Sequence, residues 1–297
     1  MVKLGTTTIA DASGQLDLIR LEELVNQMAG AVKAGRELIV VTSGAIGVGM
    51  SRLGLEERPR TIPEKQAVAA VGQGLLMETY ERLFRAHGQV AAQVLLTRED
   101  VTERVRHLNA RHTLIQLLRF GAIPIVNEND TVAVDEIKFG ENDTLSSLVA
   151  ALVGADLLVL LSDVDGLHSA DPHRVPQARR IPIVTEITPE IEALGGGPGT
   201  ALGSGGMATK IQAARIATLS GVAMVVTDGS QPDIIRRVLK GEDVGTVFLP
   251  SDHALGSIKR WIAFYQQAQG DLIVDAGAVR ALVKDNTSLL PIGIVGV

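Results

Sequence analysis

Short apolar runs recur along the chain at Leu38-Ile39-Val40-Val41, Val94-Leu95-Leu96, Ile123-Pro124-Ile125-Val126, Leu157-Leu158-Val159-Leu160-Leu161 and Ala223-Met224-Val225-Val226. Several are continuous rather than alternating, as a strand covered on both faces requires. Between them the apolar positions change to helical spacing. Leu21, Leu24, Val25, Met28 and Val32 share one helix face, and Gly35 stands where that helix should stop. Further helices are predicted over Lys65 to Ala86, Arg106 to Phe120, Thr144 to Val153, Met207 to Ser220 and Pro232 to Lys240. The alternation predicts an α/β fold: an open, mostly parallel sheet sandwiched between helices.

The pattern changes twice. Glu192 to Gly206 holds Gly195-Gly196-Gly197 and then Gly203-Ser204-Gly205-Gly206, which reads as a mobile loop feeding a helix. Gln266 to Gly270 reads as a polar linker, and Asp271 to Val297 starts a new pattern too short to be a domain by itself.

Composition narrows the function classes. The 297 residues are 46% hydrophobic, enough for a sizeable core, while a net charge of -6 and 3% aromatic residues give no general affinity for nucleic acid. With no cysteine there is no disulfide frame and no thiolate metal site. The first residues lack the pattern of a secretory signal, so a cytoplasmic location is expected. The longest apolar stretch, Leu148 to Leu161, is interrupted by Asp156 and predicts no membrane span.

The run Ala122 to Val126 ends in Asn127-Glu128-Asn129-Asp130, and Glu141-Asn142-Asp143 follows shortly after. Ligands of open α/β sheets bind beyond the carboxyl ends of the strands, and two amide and carboxylate clusters there suit a small, polar, amine-bearing substrate. Three other segments suit an anion. Lys3-Leu4-Gly5-Thr6-Thr7-Thr8 puts a lysine beside a Gly/Thr turn, although in isolation a solvated lysine and an ordinary turn explain it better. Thr42-Ser43-Gly44-Ala45-Ile46-Gly47-Val48-Gly49 follows a strand, with glycines that either admit a ligand or merely shape the turn. Gly205-Gly206-Met207-Ala208-Thr209-Lys210 brings glycine-rich backbone into a helix that carries a lysine near its start, where only an anion would reward it. The dinucleotide and Walker patterns are absent, Asp163-Val164-Asp165-Gly166 lacks the later glutamate of a calcium loop and reads as a turn, and the six histidines form no helical metal pair.

Val2-Lys3-Leu4-Gly5-Thr6, Val41 to Ile46, Leu108-Asn109-Ala110-Arg111, Val126 to Asp130, Phe139 to Asp143 and Gly205 to Lys210, in this order, resemble the glutamate 5-kinases of the amino acid kinase superfamily. The resemblance covers essentially the whole chain. It implies an amino acid kinase domain over 1-265. Val274-Asp275-Ala276-Gly277-Ala278 and Ser288 to Ile294 are similar to the opening of a PUA domain, so 271-297 is expected to be an incomplete, β-rich PUA-like segment.

The implied reaction is ATP-dependent phosphorylation of the side-chain carboxylate of L-glutamate, the first step of proline biosynthesis. By similarity, Lys3 and Lys210 flank the transferring phosphoryl group and Asp143 orients them. Gly5, Gly44 and Gly206, with Gly205 and Met207, bring backbone to the phosphates. Ser162 and Asp163 contact the nucleotide. Ser43, Asn127, Asp130 and Asn142 hold glutamate. Magnesium is expected to ride on the ATP phosphates without a protein cage. L-Proline is the expected feedback inhibitor, glutamate-5-semialdehyde dehydrogenase a possible recipient of the product, and a homo-oligomer the expected assembly.

Departures from the family pattern are Glu141 for a more usual aspartate, Ser162 for threonine, few residues ahead of Lys3, and a tail about a third of the usual length, which together suggest a chain shortened at both ends. The competing readings are a superfamily relative acting on acetylglutamate or a nucleoside monophosphate, a regulatory pseudokinase, and a non-catalytic RNA-binding protein.

Overall fold

Val2-Lys3-Leu4, the first strand made, lies in the middle of the sheet rather than at an edge. The computed structural model describes residues 1–11, 15–133, 142–171, 175, 177–195, 206–251, 270–285 and 287–296. It divides the chain into two units, Met1–Phe264 and Tyr265–Val297.

In the first unit the elements follow as β1 (Val2–Leu4), α1 (Thr6–Ile9), α2 (Leu18–Lys33), β2 (Val40–Val41), α3 (Ala45–Leu53), α4 (Ile62–Arg85), β3 (Val90–Leu96), α5 (Arg98–Thr102), α6 (Arg104–Arg119) and β4 (Ala122–Glu128). Then come α7 (Asn142–Val153), β5 (Leu157–Ser162), β6 (Ile183–Val184), α8 (Pro189–Ala193), α9 (Met207–Leu219), β7 (Ala223–Asp228), α10 (Ile234–Leu239) and β8 (Gly245–Phe248). The sheet order is β3-β4-β2-β1-β5-β7-β8-β6, parallel throughout except between β7 and β8. This is the expected α/β architecture.

The continuous apolar runs are explained by two covered faces. Val159, Leu161 and Val225 pack into one core with Leu21, Leu24 and Met28 of α2 and Leu76, Tyr80 and Phe84 of α4. Their strand neighbours Leu158, Leu160, Met224 and Val226 point the other way, against Ala213, Ala214 and Ala217 of α9. Pro124, awkward inside a strand, pairs with Ala92 of β3 but precedes the β2 register, which starts at Ile125 opposite Val40.

α3 and α4 lie against each other without room for a side chain at the crossing. A Cβ on Gly72 would come within 1.8 Å of the Ala45 carbonyl oxygen, and one on Gly49 within 2.0 Å of that of Val68. Thr61 and Glu64 start α4 with a reciprocal capping box.

Some expectations need correction. Leu38 and Ile39 are buried but stand outside the β2 ladder, which is only two residues long. The Gly/Thr segment after Lys3, read as a turn, is a single turn of helix, α1. Strands β6 and β8 were not legible in the sequence. The second unit contains antiparallel β9 (Ile273–Val274) and β10 (Ile294–Gly296) and a helix, Ala276–Val283, capped by Asp275. Among the described residues no helix is long and apolar enough to cross a membrane.

Candidate active site

Parallel strands send all their carboxyl ends to one edge, and β1 has β2 and β4 on one side and β5 and β7 on the other. Connections therefore leave in opposite directions from β1, opening a crevice there. Lys3 lies in β1 itself, facing this arrangement from the centre.

Asp143 enters from the first turn of α7 and Lys210 from the first turns of α9. Lys3 Nζ is 2.5 Å from Asp143 Oδ1 and Lys210 Nζ is 3.3 Å from Asp143 Oδ2. Thr209 Oγ1 lies 3.3 Å from Oδ2 and shares its single proton between that oxygen and the Gly206 carbonyl at 2.8 Å. Asp143 is only 1% exposed, and both lysines are buried. Burial alone would raise the Asp143 pKa, but Lys3 and Lys210 outweigh it and hold the carboxyl below the usual range. Two ammonium groups on one carboxylate leave the triad with one positive charge in excess, a suitable receiver for an anion.

On the β2/β4 side, amides converge. Asn142 Nδ2 donates to the Thr42 carbonyl at 2.6 Å, to Ser43 Oγ at 2.9 Å and to Asn127 Oδ1 at 2.9 Å. Asn127 in turn donates through Nδ2 to Gln73 Oε1 at 2.8 Å. Gly44 starts α3 with φ +93°, a left-handed conformation that glycine adopts without strain, and no side chain caps the helix. Its first N–H groups stay available beside Ser43.

On the β5/β7 side a cleft of about 320 Å³ is lined by Thr7, Thr8, Asp17, Arg20, Ser162, Asp163 and Asp228 among others. Ser162 Oγ donates to Asp163 Oδ1 at 2.9 Å. Gly5 lies at the end of β1, where an added Cβ would sit 3.3 Å from the Leu161 carbonyl oxygen and 3.6 Å from Lys3 Nζ. Gly206 caps α9, with Met207 as its first residue.

The structure thus brings together Lys3, Asp143 and Lys210, and separately Ser43, Asn127 and Asn142. Asp130 is half-buried in the turn three residues beyond Asn127. Glu141 and Gly205 lie outside the described residues. Sequence reading missed Thr209, Thr42 and Gln73. Gln73 left a trace, as a polar residue in the stripe Ala69, Gln73, Leu76, Tyr80 and Phe84, all buried on α4. Among the described residues no three acidic or histidine side chains converge to hold a metal ion.

Residues 1–228 match the amino acid kinase family. The glutamate 5-kinase of Moorella thermoacetica is 57% identical over 297 residues, which span all of this chain and 79% of that protein. That of Caldanaerobacter subterraneus subsp. tengcongensis is 52% identical over 295 residues, 99% of this chain and 79% of that protein. The solved UMP kinase of Ureaplasma parvum shares the fold with a TM-score of 0.58 at 12% identity, covering 84% of this chain and 97% of that one. The chain belongs to the amino acid kinase family and, within it, to the glutamate 5-kinases.

Proposed function

We propose that the protein transfers the γ-phosphoryl group of ATP to the side-chain carboxylate of L-glutamate, releasing ADP and L-glutamyl 5-phosphate and so opening proline biosynthesis. The observation that carries this reading is the buried Lys3–Asp143–Lys210 triad, with the Ser43, Asn127 and Asn142 cluster on the β2/β4 side and a cleft on the β5/β7 side.

The nucleophile needs no base. A glutamate side chain is ionised at neutral pH, so the site has only to hold it in line and neutralise charge. A carboxylate oxygen attacks the γ-phosphorus, a new O–P bond forms, and the bond to the β,γ-bridging oxygen breaks with its electron pair leaving on ADP. Lys3 and Lys210 supply positive charge to the phosphoryl oxygens as it passes. Asp143 fixes both ammonium groups in advance, so little reorganisation is needed during the transfer. The N–H groups at the start of α3 and α9, freed by Gly44 and Gly206, add donors. Ser43, Asn127, Asp130 and Asn142 hold glutamate on the β2/β4 side, while Ser162 and Asp163 receive the nucleotide on the β5/β7 side. Magnesium bound to the ATP phosphates would screen part of their charge, and Lys3, Lys210 and the helix N-termini would neutralise the remaining phosphate oxygens.

ADP release measured with glutamate, aspartate, acetylglutamate and UMP tests the reading. Turnover should depend on glutamate, and a preference for UMP or acetylglutamate would reject it in favour of a superfamily relative.

L-Proline carries the same α-carboxylate and amine as glutamate without the reactive side chain. It should compete for the amide pocket, with inhibition easing as glutamate rises. Proline without effect at any glutamate concentration would reject this part.

A further inference from the structure

The amide groups on the β2/β4 side form a chain whose direction is fixed by backbone. Asn142 Nδ2 donates to the carbonyl of Thr42, which can only accept. Asn127 must therefore face Asn142 with its oxygen, and the backbone N–H of Glu128, which can only donate, meets that same Oδ1 at 2.9 Å. Asn127 is left to donate through Nδ2, so Gln73 accepts through Oε1. The far end of Gln73 is then its NH2 group. Nε2 is buried with no hydrogen-bond partner among the described residues, and the residue as a whole is 9% exposed.

A buried donor left unmade costs about as much as a lost hydrogen bond, and buried polar groups are nearly always paired. An unspent amide at the end of a relay that runs through Asn142 and Asn127, the residues read above as holding glutamate, calls for an acceptor that arrives with a ligand. We propose that Gln73 sets amino-acid specificity, its Nε2 donating to a carboxylate oxygen of the substrate while its Oε1 holds Asn127 in register. This rests on the assignment of the β2/β4 side to glutamate. The α4 position suits the task, because α4 is locked on α3 at Gly72, one residue away, and α3 carries Gly44 and Ser43 at its start.

Gln73→Glu separates the two ends of the side chain. The carboxylate still accepts from Asn127 but turns a repelling oxygen towards the substrate. The KM for glutamate should rise by about tenfold or more while the KM for ATP stays within about twofold. Burial beside a second carboxylate raises the pKa of the introduced acid, so the defect should shrink from about pH 8 to about pH 6 as the acid gains a proton and can donate again. Gln73→Met, which lacks both functions, should raise the glutamate KM with no such pH response. A merely structural glutamine would give defects independent of pH and shared between the two substrates. An unchanged glutamate KM in Gln73→Glu, or a defect that ignores pH, overturns the inference while glutamate-dependent ADP release by the unaltered chain stands. Absence of that release overturns the glutamate reading itself.

Discussion

Removing either charged partner from the triad should have opposite consequences for stability and turnover. In Asp143→Asn two buried ammonium groups, at 2.5 and 3.3 Å, lose the carboxylate between them. Breaking a buried pair by removing one partner costs about 3 to 5 kcal/mol. For a domain of this size each kcal/mol moves Tm by roughly 2 to 4 °C, so the midpoint should fall on the order of 10 °C. In Lys210→Met the carboxylate keeps Lys3 at 2.5 Å, and the excess positive charge of the triad disappears. Stability should hold or rise. Turnover should nevertheless drop about a hundredfold or more, the scale of losing one electrostatic donor to a transition state, with the glutamate KM little changed. The acid limb follows from the same group. The folded pKa of Asp143 lies below its ordinary 3.8, so its contribution is present above that value and is lost as pH falls through the folded value. Asp143→Asn should flatten the decline in stability below about pH 4. Thermal melts across pH, paired with ADP release, read all of this. Near-normal turnover in Lys210→Met, or a Tm loss matching that of Asp143→Asn, would refute the reasoning.

Three further outcomes are expected. Gly72→Ala places a Cβ 1.8 Å from the Ala45 carbonyl oxygen, so α3 must move; Tm should fall by the equivalent of about 1 to 3 kcal/mol or more, and glutamate KM should rise as Ser43 shifts. Unchanged melting would mean the helices can separate freely. Asn142→Ala and Asp130→Ala should raise the glutamate KM by the equivalent of ~1 to 3 kcal/mol and leave ATP affinity nearly intact, and a change confined to ATP would reverse the two sides of the site. A chain ending at Tyr265 should keep its melting temperature and glutamate-dependent ADP release, and loss of both would place residues 271-297 within the catalytic unit.

The strand runs were legible because both faces of the sheet are covered, which writes Leu157 to Leu161 as an unbroken apolar string. α2 was legible for the opposite reason: one buried face, with Leu21, Leu24, Val25 and Met28 at helical spacing. β6 and β8 were not, being two and four residues long with their pairing decided by distant chain. Lys3, Asp143 and Lys210 were singled out by local chemistry and resemblance, but their convergence on one carboxylate depends on sheet order, which no local pattern records. Gln73 was hidden for a related reason. Its helix reads as an ordinary packed element, and only the direction of hydrogen bonds from Thr42 and Glu128 reveals which end of its amide is spare.

The central claim concerns an acyl phosphate formed on a glutamate side chain. Such a product reacts with hydroxylamine to give a hydroxamate, which a phosphate ester or a nucleoside diphosphate does not. Incubation with ATP, magnesium, L-glutamate and hydroxylamine should yield γ-glutamyl hydroxamate in step with ADP, and Lys210→Met should lower both together by about a hundredfold or more. ADP release without hydroxamate, or phosphorylation of UMP in preference to glutamate, would contradict the assignment.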